Sequence, residues 1–91
     1  MIIVSITDDN ITLSGHAGYA PRGQDIVCEA VTILCHTLEA SIAPGRCEKR
    51  SGFFRADRTG ATHDEEVLFN GFITGLEILS EVYPDFIQIN K

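Results

Sequence analysis

His16 and Cys28 are the pair of residues in this 91-residue chain whose types and spacing best suit chemistry. A cysteine at the start of a helix meets free backbone N–H groups and the positive end of the helix dipole, and both favour thiolate over thiol. A nearby imidazole can take the thiol proton, which is the arrangement of a cysteine nucleophile. His16 ends a predicted strand and Cys28 falls in the first turn of a predicted helix. The spacing therefore predicts a His–Cys dyad, with first-turn N–H groups available to an oxyanion.

The same two residues also have a structural interpretation. Cysteine is among the most buried residue types, and one early in an amphipathic helix often belongs to the core. A histidine at a strand end often lies on the surface. The residues alone leave both interpretations open. Asp25 is a good helix N-cap and also a candidate for orienting His16, two roles that compete for its oxygens.

The first half of the chain predicts a hairpin, a loop and a helix. Residues 2–7 are β-branched and apolar, and residues 11–14 alternate apolar and polar, so they predict paired strands around Asp9-Asn10. Loop 17–24 follows, and a helix is predicted over residues 25–42. The apolar positions of that helix recur at helical spacing: Val27, Ala30, Val31, Leu34 and Leu38.

The second half predicts another hairpin, a longer helix and a final strand. These elements are, in order, strands 46–50 and 53–57 around Ser51-Gly52, a helix over 63–82 with a Thr62/Glu65 capping box, and a strand over 85–89. The apolar face predicted for the second helix consists of Leu68, Phe72, Gly75, Leu76, Leu79 and Val82, with Gly71 and Gly75 allowing close packing. The order ββαββαβ predicts one α+β domain over residues 1–91. It is a two-layer sandwich of a small, mostly antiparallel sheet and two helices.

The amino-acid composition disfavours several classes of function. Thirteen acidic against seven basic residues give a net charge of −6, which disfavours binding to nucleic acid. No apolar run reaches the length of a membrane helix, so we expect no membrane association. Three cysteines without a close-spaced pattern predict free thiols in a reducing cytoplasm. A core of this size favours a homodimer that shares apolar surface.

The other residues whose side chains could take part in chemistry are interpreted as structural. Cys35 and Cys47 form no C-x-x-C pair, so neither a metal site nor a cofactor is predicted. Cys35 is expected in the core, and His36 and His63 on the surface. The glycines of the loop do not form a phosphate-binding motif. They predict tight turns, which would let the loop open and close over a peptide. A solvated strand edge, rather than an RNA contact, is predicted for the basic cluster of Arg46, Lys49, Arg50, Arg55 and Arg58.

The segment Gly15-His16-Ala17-Gly18-Tyr19-Ala20, followed by Gly23-Gln24-Asp25-Ile26-Val27-Cys28, resembles the signature of the ribosomal-processing cysteine proteases, the Prp family. The resemblance covers most of the chain, including the ending Tyr83-Pro84-Asp85-Phe86-Ile87. It implies an α/β sandwich and a homodimer. It also implies a cysteine endopeptidase that removes a short N-terminal extension from large-subunit ribosomal protein number twenty-seven, cutting after a phenylalanine.

The resemblance also implies roles for individual residues. His16 would be the general base and Cys28 the nucleophile, supported by Gly15, Asp25 and Thr32, the last standing where the family has serine. The substrate loop would comprise Ala17, Gly18, Tyr19, Ala20, Pro21, Arg22, Gly23 and Gln24. Glu29 departs from the alanine common in the family, and Pro21-Arg22 would stiffen the loop. These departures bear on substrate choice more than on the dyad.

Two further functions stay open at this stage. Relatives of the family also occur beside phage genes, where a head protein would be the substrate. A non-catalytic adaptor could instead use the acidic surface to bind a basic ribosomal protein. In each ribosomal case the expected partner is a ribosomal protein precursor or its N-terminal peptide.

Overall fold

Five strands and two helices follow one another in the order ββαββαβ in the computed structural model, which describes residues 1–91. The elements are β1 (Ile2–Ile6), β2 (Asn10–Ser14), α1 (Ile26–Ser41), β3 (Cys47–Arg50), β4 (Phe53–Asp57), α2 (His63–Val82) and β5 (Ile87–Asn90). This order confirms the predicted α+β sandwich, and each boundary lies within two residues of its predicted position. No helix has the length and apolar character that crossing a membrane requires.

The strands form one sheet in the spatial order β3-β4-β2-β1-β5. β1 pairs antiparallel with β2, β2 with β4, and β4 with β3, whereas β5 runs parallel to β1. A parallel pair needs a crossover, which α2 supplies between β4 and β5. The predicted hairpins therefore form as expected, and the sheet is mostly antiparallel.

One face of the sheet carries the core. The register aligns Val4 with Leu13 and Leu13 with Phe54, so alternate apolar side chains of three adjacent strands point the same way. Both helices bury their apolar stripes in the same cluster. In α1 the buried residues are Val27, Val31, Cys35 and Leu38, which confirms the predicted place of Cys35 in the core.

The buried face of α2 differs from the predicted one by a rotation. Phe69, Phe72 and Leu76 are its buried residues, and Phe69 is completely inaccessible. Leu68 and Val82, predicted to be core, are 37 % and 61 % exposed. One residue along a helix turns the side chain by about 100°. The sheet therefore selects Phe69 and leaves Leu68 at the rim.

The two glycines of α2 have different environments. A Cβ on Gly75 would lie 2.9 Å from Leu34 Cδ2, so the close packing of α2 on α1 predicted there is confirmed. A Cβ on Gly71 would meet no atom within 4 Å. The prediction that Gly71 serves helix packing is wrong, because Gly71 borders a cavity that residues of both helices line.

The basic cluster of the second hairpin is largely paired. Arg46 bonds Glu65 and Arg58 bonds Glu66, with the arginine side chains only 16 % and 14 % exposed. Lys49 and Arg50 form exposed pairs with Glu39 and Glu48, respectively. The predicted solvated edge is therefore wrong for Arg46 and Arg58, which join the loops before β3 and after β4 to the start of α2.

Candidate active site

Cys28 occupies the third position of α1, as predicted. Asp25 is the N-cap, and its Oδ1 accepts a hydrogen bond of 2.9 Å from the Cys28 N–H. The thiol is free and half-buried. The nucleophile candidate therefore stands on the rigid first turn of a helix, with its backbone held by a carboxylate.

The second oxygen of Asp25 holds the loop. Oδ2 accepts a hydrogen bond of 3.1 Å from the Tyr19 N–H, and the whole residue is only 6 % exposed. Burial raises the pKa of the Asp25 carboxyl, but hydrogen bonds from the backbone of Cys28, Tyr19 and Ala20 outweigh it, so the pKa lies below its usual value. Both oxygens are engaged by backbone, and no hydrogen bond joins Asp25 to His16. Of the two competing roles considered for Asp25, the structure shows the cap.

The loop brings the residue after His16 back to the thiol. The Ala17 N–H donates a hydrogen bond to Cys28 Sγ at 3.2 Å. His16 itself is exposed, and it lines the same two cavities as Cys28. His16 and Cys28 therefore border a shared cleft, although twelve positions separate them in the sequence.

The backbone on either side of His16 is fixed by three contacts. The His16 carbonyl accepts a hydrogen bond of 2.6 Å from the Met1 amino group. The Gly15 N–H donates to the Gly52 carbonyl at 2.9 Å. Gly15 has a φ of +93°, and a Cβ there would lie 2.5 Å from the Met1 carbonyl oxygen, so only glycine fits. Gly15 therefore allows the start of β1 to approach the chain closely beside His16.

Two cavities meet at His16, Cys28 and Thr32. The smaller, of about 270 Å³, lies between α1 and the β3–β4 hairpin. Its floor is apolar, formed by Leu13, Val31 and Phe54 among others, and its polar lining includes His36, Lys49, Arg50 and Gly52. The larger, of about 550 Å³, lies under the loop and has few hydrophobic residues in its lining, which also includes Gly18, Ala20, Arg22, Gly23, Asp25, Glu29 and Ser51.

Thr32 lies one turn after Cys28 on α1. Its hydroxyl donates to the Cys28 carbonyl at 2.8 Å, and the residue lines both cavities. Glu29, the departure next to the thiol, is exposed and borders the larger cavity only.

The loop over residues 17–24 is anchored at two points. Ala17 is buried, and the Tyr19 ring packs edge-on against Tyr83 and Phe86, with centroids 5.7 and 5.2 Å away. Between these anchors and α1, the loop residues Pro21 to Gln24 are exposed. They form a turn in which the Gln24 N–H donates a hydrogen bond of 2.9 Å to the Pro21 carbonyl. Pro21 and Arg22 therefore both face solvent, and Arg22 also lines the larger cavity.

The other two cysteines are suited to structure instead of chemistry. Burial raises the pKa of the Cys35 thiol to about 12 and that of Cys47 to about 11. All three thiols are free, as predicted. No group of three or more His, Cys, Asp or Glu side chains is placed to hold a metal ion.

The β3–β4 hairpin is the part of the site that sequence reasoning missed. Ser51 and Gly52 border the two cavities, and His36 and Lys49 extend the smaller one. Gly52 is 36 positions from His16, so no local pattern joins the two residues. Only the antiparallel pairing of β2 with β4, which aligns Ser14 with Phe53, makes the turn a neighbour of His16.

A thiol on the first turn of a helix, facing a cleft shared with a histidine on a small α+β sandwich, defines the class of small cysteine hydrolases. The chain belongs to the cysteine protease Prp family, whose model matches residues 1–88. It is 27 % identical to the ribosomal processing cysteine protease Prp of Mycoplasma genitalium over 95 aligned positions, which span 100 % of this chain and 96 % of that protein.

Solved structures share the fold. The Streptococcus mutans protein SMU.848 is 25 % identical with a TM-score of 0.77, covering 99 % of this chain and 96 % of that one. The ribosomal processing protease Prp of Staphylococcus aureus, solved with a covalently linked product peptide, has a TM-score of 0.79 at 17 % identity. That alignment covers 98 % of this chain and 95 % of the other.

Proposed function

We propose that this chain is a cysteine endopeptidase that removes a short N-terminal extension from large-subunit ribosomal protein number twenty-seven, cutting after a phenylalanine. Family membership and the name of the Mycoplasma relative support ribosomal processing. The observation that carries the proposal for this chain is the hydrogen bond from the Ala17 N–H to Cys28 Sγ. It joins the His16 segment to the thiol at the mouth of a cleft large enough for a peptide side chain.

The reaction uses His16 and Cys28 in sequence. His16 takes the Cys28 proton, and the sulfur attacks the scissile carbonyl carbon to form a tetrahedral adduct. The adduct collapses as the C–N bond breaks, and His16 returns the proton to the leaving amine. Water then attacks the thioester with His16 as base, which releases the acid product and restores the thiol. No cofactor or metal enters these steps.

The hydrogen bonds at the start of α1 revise the source of oxyanion stabilisation. The Cys28 N–H is already bonded to Asp25 Oδ1, and the Glu29 N–H to the Asp25 carbonyl. The predicted use of first-turn N–H groups for the oxyanion is therefore not available at Cys28 or Glu29 without breaking these bonds. The Ala17 N–H points at the sulfur instead, so it stabilises the thiolate and stands where the carbonyl oxygen develops negative charge as the sulfur attacks the carbonyl carbon.

The smaller cavity suits an apolar side chain next to the scissile bond. Leu13, Val31 and Phe54 give it an apolar lining, and the two reactive residues border the same cavity. A phenylalanine on the acyl side of the scissile bond would bury its ring there. The rest of the extension would cross the larger cavity under the loop.

The partners we propose are the ribosomal protein precursor and a second copy of this chain, in the cytoplasm where ribosomal proteins are made. The helices carry exposed apolar side chains outside the core, since Ile33, Val67 and Ile78 are each more than half exposed. A shallow cavity of about 230 Å³ lies between the helices in the same region. Exposed apolar patches of this kind mark protein interfaces. Sedimentation should therefore show a dimer that Val67→Glu converts to monomer, and an unchanged dimer would exclude this surface.

The test is cleavage of an extension peptide read by mass spectrometry. The wild-type chain should cut after the phenylalanine, and Cys28→Ala and His16→Ala should each abolish the cut while keeping the fold. Cys47→Ala is the matched control, because that thiol lies outside the cleft. Cleavage by Cys28→Ala would refute the mechanism. Cleavage of a phage head-protein peptide alone would favour the phage role, and binding of the peptide without cleavage would favour the acidic adaptor.

A further inference from the structure

The turn of the β3–β4 hairpin lies directly against the His16 ring. A Cβ added to Gly52 would be 3.0 Å from His16 Nε2, 3.6 Å from Cε1 and 3.7 Å from Cδ2, and these are its three nearest atoms. Real Cβ atoms seldom come so close to a neighbour. The Nε2 edge of the imidazole therefore occupies the space beside Gly52 that a side chain at this position would need.

The turn is also tied to the chain next to His16. The Gly52 carbonyl accepts the Gly15 N–H at 2.9 Å, so the turn and the His16 segment cannot move apart without losing this bond. Ser51 borders the larger cavity and Gly52 the smaller one. The turn thus stands at the junction of the two cavities, where Cys28 also lies.

We propose that Gly52 is a positioning residue, whose α-carbon and carbonyl set the orientation of the His16 imidazole towards Cys28. This inference rests on the proposed function, since it assigns His16 the role of base. Gly52 touches neither the thiol nor the scissile bond in this scheme. It acts through His16, and a larger residue would displace the ring from its productive orientation.

A purely conformational explanation for Gly52 makes a different prediction, and the chain contains the control. Gly52 has a φ of +70°, a conformation that favours glycine in any turn. Gly60 has a φ of +67°, but a Cβ there would meet no atom within 4 Å. Alanine at either position imposes the same backbone strain, whereas only alanine at Gly52 presses on the His16 ring.

The experiment compares Gly52→Ala with Gly60→Ala in the full chain. Both should lower Tm to a similar degree. Only Gly52→Ala should lower kcat on the extension peptide, by about 10- to 100-fold with KM within about two-fold, since small misplacements of reacting groups have effects of this size. Only Gly52→Ala should also change the pH dependence of Cys28 alkylation. A kcat and an alkylation profile matching those of Gly60→Ala would overturn the proposal.

Two additional measurements cover the remaining outcomes. If Gly52→Ala does not fold, Gly52→Asn and Gly60→Asn replace the pair, because asparagine tolerates positive φ better than alanine. If the wild-type chain cuts no peptide, the NMR signals of the His16 ring still report its environment. A ring shift confined to Gly52→Ala would then support the positioning role although the proposed substrate is wrong. An unchanged ring shift would overturn the positioning role itself.

Discussion

The backbone N–H of Ala17 and the sulfur of Cys28 are joined by a hydrogen bond of 3.2 Å. This contact closes a loop of eleven residues and places the segment that carries His16 over the first turn of α1. It also gives the Cys28 sulfur a fixed hydrogen-bond donor from the backbone, which the amino-acid sequence does not reveal. The chemistry proposed for the chain depends on this backbone contact as much as on the two side chains.

Replacing the amide of Ala17 by an ester tests that contact. Incorporating the hydroxy-acid analogue of alanine at position 17 removes the N–H and keeps the side chain. We expect cleavage to fall by about 100-fold or more, the usual effect of losing one oxyanion donor. The glycolic-acid analogue at Gly45 is the control, because the Gly45 N–H bonds no other group and lies outside the cleft. Equal activity of the two esters would contradict the role of Ala17.

Alkylation should single out Cys28 among the three thiols. Burial raises the pKa of Cys35 to about 12 and of Cys47 to about 11, so few of these thiols are ionised near neutral pH. Iodoacetamide at pH 7.5 should modify Cys28 at least about 100-fold faster than either, since the thiolate is the nucleophile. Peptide mapping by mass spectrometry at timed intervals gives the three rates. Comparable rates for all three would mean that the cleft does not activate its thiol.

Asp25 should make the free energy of unfolding depend on pH in the acidic range. Because its pKa in the folded chain lies below the unfolded value, ionised Asp25 stabilises the fold above that unfolded value, near pH 4. This stabilisation is lost as the pH falls through the folded pKa. Urea unfolding should therefore show a larger loss of free energy between pH 6 and pH 3 for wild type than for Asp25→Asn.

The size of the Asp25 contribution follows from its capping role. Asp25→Ala removes the acceptor for the Cys28 and Tyr19 N–H groups and should lower the free energy of unfolding by about 1–2 kcal/mol at pH 7. Asp85→Asn, at an exposed site, should have little effect. If Asp25→Asn and wild type lost stability equally on acidification, the carboxylate would not be the titrating group.

The two glycines of α2 should respond oppositely to alanine. Gly75→Ala drives a methyl group to within 2.9 Å of Leu34 and should destabilise the fold by about 1–3 kcal/mol, as overpacking does. Gly71→Ala meets no neighbour and should stabilise it by up to about 1 kcal/mol through helix propensity. Thermal unfolding of both variants measures the contrast. A stabilising Gly75→Ala would show that α1 and α2 can separate at no cost.

Short sequence patterns were sufficient to predict those features whose interactions join residues close together in the chain. Asp25 caps α1, and Thr62 and Glu65 form the capping box of α2, because both involve side chains three residues from the N–H they bind. The turn at Ser51-Gly52 follows from its own residues, since serine and glycine together favour turns. These features hold regardless of what packs against them.

The helical periodicity did not predict which of two adjacent apolar residues is buried, because the surface that packs against the helix decides this. Leu68 and Phe69 are both apolar neighbours on α2, and a pattern of threes and fours admits either. The phenylalanine fits the depth of the core beside the sheet, so Phe69 is buried and Leu68 remains at the rim. The same holds for the ion pairs of Arg46 and Arg58, whose partners on α2 lie 19 and 8 residues further along the chain.

The sequence by itself determined the elements, their order, the capped turn that holds Cys28, and a histidine within reach of it. Only the tertiary structure decided how that histidine is held, because the pairing of β2 with β4 brings Gly52 against the His16 ring. It also decided that the N–H aimed at the sulfur belongs to Ala17 and not to the helix, since Asp25 already occupies the Cys28 N–H. Helix caps and strand patterns act over a few residues, whereas contacts between distant segments exist only once the sheet has formed.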